Sequence, residues 1–246
     1  MMRKRGLIVL LALLTKFAGA SIIYQDDFSG SRDDRLHGAA PDVRPGSEVW
    51  ATDNRNFDYS WKADGWVNAS NATANSSAAL PFTLESGMIY QLTAEFTMGA
   101  IDTANTAWCG ISFCTRGDEL EYAPDRNSFL RFYAQLNGDV TAVSDSGTKR
   151  QRLYTGGDVT LSIILNTIGT DWSVQYFFND TLYESKTITA AATAGTELYI
   201  KFGHYRQVGE ATINNFTFEA IPEPSSVTLF LISSMGFVCF RRRNLR

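Results

Sequence analysis

Period two dominates the middle of this chain. Between Gly87 and Phe96, Ile89, Gln91, Thr93 and Glu95 alternate with Tyr90, Leu92, Ala94 and Phe96, which predicts a strand with one buried face. Residues 158–166 place Val159, Leu161, Ile163 and Leu165 on one side, and residues 171–178 do the same with Trp172, Val174, Tyr176 and Phe178. Asn179-Asp180 breaks that pattern and residues 181–188 resume it, the sign of a two-residue hairpin, although Asp-Gly would turn more readily. Further strands are predicted at 22–28, 65–68, 78–82, 107–114, 128–134, 140–143, 198–202 and 211–218. In the last of these the apolar phase shifts between Ile213 and Phe216, which predicts a bulge at Asn214-Asn215. The polar, low-complexity stretch 68–79 reads as a loop leading into a strand. Over a dozen short strands with no amphipathic helix predict two packed antiparallel sheets or a barrel, and a body of this size fits one sandwich.

The two ends follow a different pattern. Residues 1–20 run from basic Arg3-Lys4-Arg5 through an apolar segment, Leu7 to Leu14, to Ala18-Gly19-Ala20 before Ser21. That order is a secretory signal helix with a small-residue cleavage site at Ala18 and Ala20, which makes signal peptidase the first processing partner. The other end carries Pro222-Glu223-Pro224, an apolar segment at 227–240, and Arg241-Arg242-Arg243. Fourteen residues of helix reach about 21 Å, short of a hydrocarbon core of roughly 30 Å, so this transmembrane helix is a weak anchor by length. The arginines belong on the cytoplasmic side, which leaves the body outside.

Charge sharpens this division. The whole chain of 246 residues has a formal charge of −4, but residues 21–221 hold 14 basic and 25 acidic side chains, a net charge of −11. Such a body repels phosphate backbones, and nucleic acid is excluded as a partner. The expected organisation is a signal peptide at 1–20, a body at 21–221 and a sorting signal at 222–246.

The order Pro-Glu-Pro, apolar helix, arginine cluster resembles the PEP-CTERM sorting signal of Gram-negative bacteria. That resemblance implies processing by the membrane-embedded enzyme exosortase, with Pro222, Glu223 and Pro224 as the recognition motif and Arg241, Arg242 and Arg243 stopping translocation. It implies export across the inner membrane to the cell surface or extracellular matrix. Asp26-Asp27-Phe28-Ser29-Gly30, Leu36 to Pro41 with Val49-Trp50, Leu80-Pro-Phe82, and Asp158-Val-Thr-Leu with Trp172 and the Asn179 hairpin resemble the laminin-G-like jelly rolls often fused to such tails. That resemblance implies an all-β, concanavalin A-like fold shared with lectins and glucanases.

Candidate chemistry is sparse. Glucanases of this fold often carry Glu-x-Asp-x-x-Glu on one strand, and the nearest match, Glu119-Leu-Glu121-Tyr-Ala-Pro124, has proline in place of the last acid. A noncatalytic body is therefore expected, with a polysaccharide-cleaving enzyme and a ligand-free structural envelope protein as alternatives. The only histidines, His37 and His204, stand in no metal or triad motif. Cys109 and Cys114 lie about 16 Å apart if the strand is extended, too far to bridge. Trp50, Asp53, Asn54, Trp61 and Trp66 form the most ligand-like segment, since sugars stack on aromatic rings and bond to Asp and Asn. Core packing competes for the same tryptophans. No cofactor is expected apart from Ca²⁺ at Asp26 and Asp27, adjacent acids that point opposite ways in a strand. Extracellular polysaccharide is the expected ligand class.

Overall fold

The computed structural model describes residues 20–29, 36–52, 59–61, 67–69, 75–115, 128–188, 196–205 and 212–222. The terminal helices, the Glu119–Pro124 segment and the sorting motif beyond Pro222 lie outside the described residues. Among the described residues fifteen strands run in chain order: β1 Ser21–Asp26, β2 Ala51–Thr52, β3 Tyr59–Trp61, β4 Val67–Ala69, β5 Asn75–Thr83, β6 Met88–Met98, β7 Trp108–Cys114, β8 Ser128–Gln135, β9 Asp139–Ser144, β10 Gly147–Arg152, β11 Gly157–Asn166, β12 Trp172–Phe178, β13 Thr181–Ile188, β14 Glu197–Tyr205 and β15 Thr212–Pro222. They form two antiparallel sheets. One has the order β13-β12-β11-β6-β15-β4-β3, with β1 also on β15, and the other has the order β10-β9-β8-β7-β14-β5-β2. The choice between sandwich and barrel is thus a two-sheet jelly roll.

The alternation expected at the sequence level is the packing observed. In β6, Tyr90, Leu92, Ala94 and Phe96 are buried, and in β12 so are Trp172, Val174, Tyr176 and Phe178. Asn179 and Asp180 both take positive φ, 46° and 62°, the left-handed pair that a two-residue hairpin needs to match strand twist. The β15 register slips between Ile213 and Asn215, which places the bulge at the expected residues.

Three strands escaped the reading. β10, Gly-Thr-Lys-Arg-Gln-Arg, is polar throughout and almost wholly exposed because it is an edge strand, where charge guards against further pairing. β2 and β3 are two and three residues long and also lie at sheet edges. Within 68–79, Asn68 and Ala69 belong to β4 and β5 begins at Asn75, while residues 70–74 lie outside the described residues.

Aromatic rings fill the space between the sheets. Trp50 meets Phe202 and Phe216 edge-on, each at 5.1 Å between centroids. Three tyrosines of the eight-stranded sheet cross the interior to backbone carbonyls of the other sheet. Tyr24 donates to Pro81 at 2.5 Å, Tyr176 to Val143 at 2.7 Å and Tyr183 to Val140 at 2.7 Å. A buried phenol must find a partner, and these bonds tie one sheet to the other at defined register. Burial, ahead of nearby acids, pushes the Tyr24 and Tyr176 hydroxyls upward and that of Tyr183 to about 12. At the open edge Lys149 donates to the Tyr183 carbonyl, lies 4.6 Å from its ring centroid and pairs with Glu184 at 3.8 Å.

Candidate functional site

Register decides which side chains share the outer face of the seven-stranded sheet. Ile111, Phe113, Leu130, Phe132, Val140, Ala142, Ile200 and Phe202 enter the core, so the alternate residues face away from it. Pairing aligns Val143, Arg131, Ser112, Lys201 and Ala79 in one row across β9, β8, β7, β14 and β5. The next row holds Arg150, Thr141, Tyr133, Gly110, Gly203 and Ser77. Trp108 packs against Tyr133 at 5.7 Å between centroids.

This face is more sheltered than the outside of a sheet usually is. Ser112 is 1% exposed and Lys201 3%, whereas Arg131 and Tyr133 are half-buried. Thr141 is also buried, and its Oγ1 has no hydrogen-bond partner among the described residues. Gly110 is required here: a Cβ would stand 2.6 Å from the Tyr133 Cβ and 2.7 Å from the Phe132 carbonyl oxygen. Within a body of net charge −11, the row nevertheless carries Arg131 and Lys201, with Arg150 bonded through Nε to Asp139 at 2.8 Å.

Asp139 and Glu197 lie on this face at opposite corners. Asp139 is engaged with Arg150, and Glu197 accepts the Tyr199 hydroxyl at 2.6 Å. Three strands and about eight residues of register separate them, about 14 Å across and 26 Å along the sheet. Carboxylates that hydrolyse glycosides stand about 5 to 5.5 Å apart in retaining enzymes and about 6.5 to 9.5 Å apart in inverting ones.

A second constellation forms where β1 ends. Asp26, Asp27 and Asp42 each bring a carboxylate oxygen within 4.8 Å of the others, although Asp26 and Asp27 are neighbours in sequence. The expectation that adjacent acids diverge holds for an extended strand, but β1 stops at Asp26 and Phe28 takes φ 55°. The set is all oxygen, the donor type that suits Ca²⁺. Part of its acceptor capacity already serves the fold. Asp26 is fully buried and accepts from Trp50 Nε1 at 2.7 Å and Phe28 N at 2.9 Å, Asp27 accepts from Ser29 N at 2.9 Å, and Asp42 from Asp27 N at 2.9 Å.

The structure divides the sequence-selected residues. Trp50 is 0% exposed, a core side chain held by Asp26, so its face is closed to a sugar. Trp61 belongs to β3, in the sheet opposite the one whose edge strand follows Trp50, while Asp53, Asn54 and Trp66 lie outside the described residues. His37 Nδ1 accepts from Thr52 N at 3.1 Å. His204 lies in the core, edge-on to Phe96 at 5.7 Å, and burial lowers its pKa to about 4. Cys109 and Cys114 are free thiols, both buried. Tyr133 and Arg131 were missed, although Leu130, Phe132 and Ala134 give their strand a readable phase that leaves both facing outward.

No protein-family model matches the chain, and no curated protein matches it by sequence. Solved structures do. An endo-1,3-β-glucanase from Streptomyces sioyaensis aligns with a TM-score of 0.57 and 11% identity, over 83% of this chain and 98% of that one. The Emp47p carbohydrate recognition domain aligns with a TM-score of 0.53 and 11% identity, over 81% and 95%. Arcelin-5, a lectin-like defense protein from Phaseolus vulgaris, aligns with a TM-score of 0.53 and 9% identity, over 82% and 99%. At such identities the likeness is one of architecture, and the fold is the lectin-like, concanavalin A-like jelly roll.

Proposed function

We propose that this chain is an exported protein of a Gram-negative bacterium, processed by signal peptidase and exosortase, whose noncatalytic jelly roll binds extracellular polysaccharide at the cell surface or in the matrix. The observation that carries the binding reading is the outer face of the seven-stranded sheet, where half-buried Tyr133 stands beside Arg131, Thr141 and Ser112. An aromatic ring flanked by hydroxyls and a guanidinium is the combination that stacks a sugar and bonds its substituents. Export rests on the signal segment, the Pro222-Glu223-Pro224 motif and the Arg241–Arg243 cluster.

Glycan-array binding of the purified protein tests the module. Binding is expected, and Tyr133→Ala is expected to weaken it about tenfold, the worth of one aromatic stack, while the variant still unfolds in one cooperative transition. Binding to no glycan, or unchanged binding by the variant, refutes the reading, and release of reducing sugar from glucans replaces it with the hydrolase. Glu223→Ala is expected to leave a full-length, membrane-held precursor, and unchanged processing would count against the sorting motif.

A further inference from the structure

The predicted processing points and the sheet register meet at one place. β1 begins at Ser21, the first residue after the predicted signal segment, and β15 ends at Pro222, the first residue of Pro-Glu-Pro. The two strands are antiparallel neighbours with Ser21 opposite Ala220, so their Cα atoms lie about 4.5 to 5.5 Å apart. The points where both apolar segments join the body therefore occupy one end of one sheet. Ala20, Ser21 and Ile22 are exposed there, and Ile221 pairs with Ile89 on β6.

Chain length turns this proximity into a constraint. Four residues, Glu223 to Ser226, separate β15 from the apolar tail and reach at most about 14 Å, while the six residues from Thr15 to Ala20 reach about 20 Å. The eleven residues of β15 extend about 36 Å. With the first and last strands parallel, the start of β1 and the end of β15 would lie at opposite ends of the domain; the four-residue connector by itself keeps the β15 end within about 14 Å of the apolar tail. The antiparallel pair brings both to the same pole.

The ladder also limits where the tail can be cut. β15 is paired with β6 from Thr212 to Pro222, with Pro222 opposite Met88. A protease reads an extended segment through its free backbone groups, which these residues have committed to the sheet. Pro222 is the last such residue.

We propose that the Ser21 and Pro222 end of the eight-stranded sheet is the membrane-facing pole of the folded precursor, lying against the bilayer, and that the tail is removed there beyond Pro222 with the sheet intact. In that step a peptide bond on the carboxyl side of Pro222 is hydrolysed: water supplies hydroxyl to the new carboxyl group and a proton to the leaving amine. The proposal rests on the export and sorting reading above, and adds which surface faces the membrane and that folding precedes the cut.

A disulfide between β1 and β15 tests it. Gln25 faces Thr217, and because Gln25 exchanges its backbone bonds with Val43 instead, the pair is of the close, non-hydrogen-bonded kind that a disulfide can span. The full chain carrying Gln25→Cys and Thr217→Cys would be accumulated in membranes of a host without the processing enzyme, oxidised, and then supplied with membranes containing that enzyme. Oxidised and reduced forms are expected to be cut at rates within twofold of each other, to a product ending beyond Pro222 by intact mass. The proposal is overturned if the crosslink does not form, if oxidation slows cutting tenfold while the reduced form is processed, or if the bond maps within residues 212–222. If the reduced form also stays full length, or the chain is absent from the membrane, the sorting reading itself falls and takes the proposal with it.

Discussion

His204 makes this domain sensitive to mild acid in a way that can be isolated. Its imidazole is 1% exposed, packed edge-on against Phe96 and opposite Cys109 on β7, and burial disfavours its charged form, lowering the pKa to about 4. In the unfolded chain it titrates near 6.5. The folded pKa is the depressed one, so between those values the unfolded state binds the proton and the native state does not. Stability then declines as pH falls, by about 1.4 kcal/mol per unit, and the loss levels off below the folded pKa at a total of about 3 kcal/mol. Many carboxylates titrate over the same range, so the informative quantity is the difference between the native protein and His204→Phe, which keeps a flat ring against Phe96 and cannot take the proton. Urea unfolding at pH 7.5, 5.5 and 4.5 supplies it. The variant is expected to gain about 1.3 kcal/mol relative to the native protein between pH 7.5 and 5.5, and about 2.5 kcal/mol by pH 4.5. A difference constant within about 0.5 kcal/mol across the three pH values would refute a neutral, buried His204.

Three further outcomes follow from particular contacts. Asp26→Ala removes the acceptor of the Trp50 indole and the Phe28 amide in a fully buried site, and is expected to lower stability by about 2 to 4 kcal/mol in urea unfolding with an unchanged slope. Asp180→Gly relieves a non-glycine residue at φ 62° while Asn179 keeps its bond to Thr160 N, so a gain of about 0.5 to 1 kcal/mol, or a rise in Tm of about 1 to 4 °C, is expected by calorimetry. Gly110→Ala forces β7 away from β8 because the obstructing atoms are a backbone carbonyl and a Cβ, neither a movable side-chain tip; a loss of about 2 kcal/mol or more is expected, with weakened glycan binding at Tyr133.

The strands that were legible in the sequence are those with one face in the core. In β11 and β12 the apolar residues of one parity fill the interior, and the hairpin at Asn179-Asp180 is fixed by two residues that tolerate positive φ. The bulge in β15 could be read because Ile213 and Phe216 both enter the core and an odd number of residues must be inserted to let them. β10 could not be read, since an edge strand bonded to β9 alone and facing solvent imposes no apolar pattern on its residues. Periodicity reports burial, and only through burial does it report pairing.

The candidate site was hidden for a related reason. A tryptophan close to acidic residues has two physical origins: a sugar platform, or a buried indole whose N–H needs an acceptor. The segment after Trp50 supplies nearby acids in sequence, yet the carboxylate that Trp50 uses is Asp26, twenty-four residues earlier and fully buried. Local composition cannot separate these cases, because the deciding contact is between distant strands. Tyr133 presents the converse. Its strand carries Leu130, Phe132 and Ala134 on one parity and Arg131 and Gln135 with Tyr133 on the other, and the register that sends Phe132 inward and sets Tyr133 over Gly110 leaves its ring outward. What distinguishes the platform from the core is therefore the parity of an aromatic residue relative to the sheet interior, and tryptophan count carries no such information.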